Sequence, residues 1–136
     1  MDAFIEQAWN DHESDLPGVS ARLRDRLPRL AEWPGQAADF ALLAEHVWLA
    51  HGGDTDAMGA CVDVLQPLAP QDPRLASALA RARAAAALLH DEPADAAGLP
   101  PAAAIRAHAT AASGFAARDD VAAARRVLQG ARALAD

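Results

Sequence analysis

Alanine, leucine, arginine, glutamine and glutamate fill long blocks of this chain, and the blocks are separated by prolines and glycines. Strands need β-branched residues in alternation, and valine and isoleucine are too scarce here to supply it. Helix formers held between breakers predict an all-α fold. Of the 136 residues 38 are alanine, which buries little area apiece. A core therefore depends on Leu, Val, Ile and three tryptophans placed at a few helix faces. With 52% apolar and 23% charged residues, the chain has the balance of a single folded domain over 1–136.

The breaks divide the chain into seven helical blocks. The first, residues 3–12, puts Phe4, Ile5, Ala8 and Trp9 on one face, and the stretch Asp15-Leu16-Pro17-Gly18 starts the second. There Val19, Leu23, Leu27 and Leu30 point inward, and Pro28 must kink or end the helix. A third block over 36–51 carries Phe40, Leu43, Ala44, Val47 and Trp48 inward, and Gly52-Gly53-Asp54 closes it. Asp54 or Thr55 caps a fourth over 56–68, with Ala57, Cys61, Leu65 and Leu68 together. Asp72-Pro73 opens a fifth that runs to Leu89. Residues 91–101, with three prolines and a glycine, form a connection with one helical turn at 94–97. Two last helices follow, over 102–117 and 120–135. Connections this short make sequential helices antiparallel hairpins.

Charge and missing residue types narrow the function. All 12 basic residues are arginine and there is no lysine or tyrosine, which excludes Schiff-base lysines and tyrosine acids. The alanine and arginine bias fits a GC-rich, bacterial source. A net charge of −7 disfavours nucleic-acid binding. Arg22, Arg26 and Arg29 share a helix face, but Asp25 and nearby acids dilute it. The single Cys61 can form no internal disulfide, and neither a secretory signal nor a membrane span is present, so a cytoplasmic home is expected.

Toward the C-terminus, Ala112, Phe115, Ala124, Leu128 and Ala131 are spaced by three, nine, four and three. This resembles a tetratricopeptide repeat over residues 104–136, with an echo at Trp48, Ala57, Cys61 and Val64. Glu45 and His108 depart from the pattern. The resemblance implies a short stacked array of antiparallel hairpins whose concave groove receives a partner peptide or helix. It would place Asp39, Leu42 and His46, and Arg106, Ala109 and Ser113, on that groove.

Chemistry is sought first at the five histidines, His12, His46, His51, His90 and His108. His46 and His51 are five residues apart, about 140° around an α-helix, whereas a shared-face metal pair is spaced by four. His12, His51 and His90 each end a helix, where an imidazole suits the carbonyl dipole. Glu45, His46 and His51 could still meet a residue from another helix. Cys61 lies on an apolar seam where a thiol is inert, and the acid pairs at Asp54/Asp56 and Asp119/Asp120 sit where helix starts want carboxylates. No phosphate loop, nucleophile elbow, metal or other cofactor is expected.

Trp9 and Trp48 follow the helical period and should pack inside, while Trp33, in a connection, is the aromatic most suited to a partner. The last helix bears apolar residues over a wide arc that includes Ala123, Val127 and Leu134, which suggests a homodimer or other contact there. The leading expectation is a non-catalytic adaptor, assembly factor or chaperone binding another protein. The alternative is a small metal-binding protein or enzyme using His46 and His51 with Glu45.

Overall fold

The computed structural model describes residues 2–90 and 99–135; the turn expected at 94–97 lies outside them. Among the described residues there are seven α-helices and no strand. They are α1 (Asp2–Asp11), α2 (Leu16–Arg26), α3 (Ala37–Ala44), α4 (Thr55–Leu65), α5 (Pro73–Leu89), α6 (Pro101–Ala117) and α7 (Val121–Ala135).

Side-chain caps start four of these helices, α2, α4, α5 and α7, where the acids predict. The carboxylate of Asp15 accepts from the Gly18 amide at 3.1 Å, that of Asp54 from Ala57 at 3.0 Å, and that of Asp72 from Arg74 and Leu75 at 3.1 and 3.3 Å. Asp120 does the same for Ala123 at 3.1 Å. Prolines end two of the helices. Pro28 stops α2 at Arg26, and the chain continues as a 3₁₀ turn, Leu27–Glu32, whose spacing of three still buries Leu27 and Leu30. Pro67 likewise stops α4 at Leu65, three residues short of the expected end, and another 3₁₀ stretch, Gln66–Gln71, leads to α5.

Phe40, Leu43 and Leu49 from the α3 region, Leu23 and Leu30, Met58 and Leu65, and Leu75 and Leu79 form a fully buried centre. Trp48 is buried beside them, and its indole N–H donates to Ser20 Oγ at 2.8 Å. Over this centre α6 packs on α5 and on α7, forming the C-terminal hairpin. Its inner face is made of Ala104, Ala107, Ala111, Ala112 and Gly114, so the backbones approach closely. Gly114 is the tightest point, because a Cβ there would lie 2.5 Å from the Leu49 carbonyl oxygen and 2.9 Å from Leu89 Cδ2.

The C-terminal hairpin corrects one expectation. Ala123 and Val127 do not wait for a second copy: they are buried within the chain's own core. Leu134 is exposed, as are Val121 and Leu128. Small residues on α6 let α7 settle close enough to bury Ala123, Ala124 and Val127. Trp33 is half-buried rather than open, with the guanidinium groups of Arg29 and Arg26 at 5.3 and 5.7 Å from its ring.

Candidate functional site

Immediately after α3 the chain widens. Residues Glu45–Ala50 form a π turn, in which the His51 amide donates to the His46 carbonyl, five residues back, at 3.1 Å. In an α-helix residues five apart diverge; with i→i+5 bonding they stack on one face. The angle of about 140° that separates His46 from His51 holds only for α geometry, which this segment does not adopt. Glu45, Val47, Trp48, Leu49 and Ala50 are buried in this turn, with α6 packed against it.

The third member comes from another element. His12 follows the last residue of α1, and α1 is anchored there by Asp11, which accepts from Gln7 Nε2 at 3.0 Å and from Arg22 of α2 at 3.2 Å. Those two hydrogen bonds, Gln7 first, hold the Asp11 carboxyl below its usual range. Anchored in this way, the imidazole of His12 reaches the π turn. His46 Nε2 lies 3.2 Å from His12 Nε2 and 2.9 Å from His51 Nε2. Ligand atoms of all three rings fall within 4.8 Å of one another.

The partners of each ring nitrogen show how the cluster is oriented. His12 Nδ1 is 2.5 Å from the Trp9 carbonyl oxygen, which can only accept, so Nδ1 is the donor there and Nε2 is the nitrogen turned toward His46. His46 Nε2 has a single in-plane site, either a proton or a lone pair, yet two imidazole nitrogens converge on it. One linear hydrogen bond serves only one of them. A cation would accept a lone pair from each ring together, and the Trp9 carbonyl would then orient His12 as outer-shell partners of metal-bound histidines do.

The His46 pKa is held below the ordinary imidazole value, first by burial and then by repulsion from His51 and His12, while Glu45 and Glu13 pull the other way without reversing it. The unfolded chain thus takes up this proton more readily than the folded one. Stability is full above about pH 6.5 and is lost as the pH falls from there toward the lowered folded value. Melting temperature should accordingly drop between pH 7.5 and pH 5.5, and His46→Asn should flatten that drop. An unchanged slope in the variant would show that His46 is not its source.

Trp9 stands over the cluster, its ring 5.0 Å from that of His46. At 37% exposure it is not the core residue its period suggested, because its face of α1 meets histidines instead of aliphatic packing. Beside it opens a cleft of 370 Å³. Leu42, His46 and Ala50 line one wall, and Arg106, Ala109 and Thr110 of α6 line the other. Glu45 and Arg81 complete the lining as a buried ion pair: Arg81 Nη2 donates to Oε2 at 2.7 Å and Nε to Oε1 at 3.1 Å, and Thr110 Oγ1 adds a bond to Oε1 at 3.2 Å.

Four of the residues expected on a groove, Leu42, His46, Arg106 and Ala109, therefore share one cleft. Asp39 lies outside it, paired with Arg74 at 2.9 Å, and Ser113 is spent on the Ala50 carbonyl at 2.8 Å. Glu45, expected to act with His46 and His51, has its carboxylate committed to Arg81 and Thr110 instead. His12, read as a helix-end residue, takes the place expected of Glu45, and no spacing in the sequence could join it to residues 34 positions away. Cys61 is fully buried and burial pushes its thiol up to about 12, so it stays protonated as its apolar seam predicts. His108 is turned into the hairpin, with Nδ1 2.8 Å from the Ala104 carbonyl, away from the cluster.

No protein-family model, curated protein or solved structure was found to match the chain. Among the described residues no helix is long and apolar enough to cross a membrane.

Proposed function

We propose that this protein binds one divalent transition-metal ion, of the zinc type, through His12, His46 and His51. The observation that carries the reading is the convergence of three imidazole nitrogens within 4.8 Å from two separate elements. Two nitrogens on one tetrahedral zinc lie about 3.3 Å apart, so small ring rotations complete the set. Imidazole donors suit zinc, copper and nickel, and with Cys61 buried the site offers no thiolate to shift that preference. Three protein ligands leave a fourth position for water or another molecule, unlike the closed shell of a structural zinc site.

Adaptor or chaperone binding in a concave groove is supported by the four expected residues that line the cleft. A cleft of 370 Å³ has room for a small molecule rather than a length of extended peptide, so metal binding is the better-supported function.

Calorimetric titration of zinc into untagged protein tests the proposal. One ion should bind per chain, and saturation at 100 times the dissociation constant should stabilise the fold by about 2.7 kcal/mol. His46→Ala should weaken binding by about 100-fold or more, and His12→Ala should weaken it comparably. Absence of saturable binding, or equal affinity in His46→Ala, would refute it.

A further inference from the structure

The cleft next to the histidines carries an unbalanced charge. Arg81 and Arg106 bring two guanidinium groups to it against the single carboxylate of Glu45. That carboxylate is already saturated by Arg81 and Thr110. Arg106 has no acceptor among the described residues, and Arg81 spends Nε and Nη2 on Glu45 while no described acceptor meets its Nη1. In a chain of net charge −7, a cleft with uncommitted guanidinium donors and no free carboxylate is a local exception.

The rest of the lining sets the shape of what fits. The Trp9 indole forms one side, Leu42 and Ala109 add apolar surface, and the volume is 370 Å³. Guanidinium groups recognise planar oxyanions with paired, parallel hydrogen bonds, and an indole face favours a flat apolar body. We infer that this cleft is a binding site for a small aromatic monocarboxylate, whose carboxylate meets Arg106 and the free edge of Arg81 and whose ring lies against Trp9. The site does not need the metal, although His46 belongs to both, and occupation of one should alter affinity at the other.

Phenylacetate is the probe, with phenylacetamide as its neutral counterpart, titrated calorimetrically into the metal-free full chain. Phenylacetate should bind one per chain, about tenfold or more tighter than the amide. Arg106→Gln should lose that preference while melting at the wild-type temperature, since Arg106 is exposed and holds no partner among the described residues. His51→Ala should bind phenylacetate as wild type does while losing zinc, so failure of the carboxylate site and failure of the metal site are read separately. Equal affinity for acid and amide, undiminished binding in Arg106→Gln, or no binding at millimolar concentration would each overturn the inference.

Discussion

Glu45→Ala should cost the fold about 3 kcal/mol, which for a chain of this size is a fall in melting temperature of about 10 °C. The side chains of Glu45 and Arg81 are only 5% and 12% exposed, so removing the carboxylate strands a guanidinium that has little water to turn to. Thr110 loses its acceptor at the same stroke. The pair itself need not be strongly stabilising, because desolvation offsets much of its attraction. Glu45→Leu combined with Arg81→Met should therefore recover most of the loss. Thermal melts of the single and double variants decide the matter: a double variant as unstable as the single one would mean that shape, and not an uncompensated charge, sets the cost.

Gly114→Ala should destabilise by about 2 to 3 kcal/mol. The Leu89 side chain can move away from a new methyl group, but the Leu49 carbonyl belongs to the π turn and moves only if that turn does. The substitution should also weaken zinc binding, since the same turn aligns His46 with His51. Gly59 offers the control. It lies in α4, and a methyl group added there would meet nothing within 4 Å, so Gly59→Ala should stabilise by about 0.5 to 1 kcal/mol. Urea unfolding of the two variants should move in opposite directions, and a Gly114→Ala protein as stable as wild type would show that α6 and the π turn are not in tight register.

The number of helices and their starts can be read from the chain because they are local properties. Asp15, Asp54 and Asp72 cap within three residues, and Pro28 and Pro67 withhold donors at their own positions. The apolar period of α5 and the small face of α6 are likewise written in single helices. The π turn is different. Its sequence, Glu-His-Val-Trp-Leu-Ala, reads as an ordinary amphipathic helix, whereas in the fold it is widened and packed against α6, which approaches it at Gly114. That widened geometry turns a spacing of five from an objection into an alignment.

The surroundings of Trp9 and His12 are hidden from the sequence for a related reason. Helical period reports which residues share a face, and what that face meets is decided by the neighbouring elements. On α1 the neighbour at Trp9 is His46, at a ring distance of 5.0 Å, and not an aliphatic seam. On α7 the period groups Ala123 and Val127 with Leu134, but which of them α6 covers is not legible in it. The cleft residues Leu42, His46, Arg106 and Ala109 come from α3, the π turn and α6. The tetratricopeptide resemblance would group these four with Asp39 and Ser113, which lie outside the cleft, and it does not indicate the charge balance created by Glu45 and Arg81.

X-ray absorption at the zinc edge, on untagged protein loaded with one equivalent, tests most directly whether the π turn and the end of α1 build a single three-imidazole centre. The spectrum should show three histidine nitrogens and one further oxygen or nitrogen ligand at about 2.0 Å, falling to two histidines in His12→Ala. A metal held by one imidazole or none, or a wild-type spectrum identical to that of His12→Ala, would contradict it.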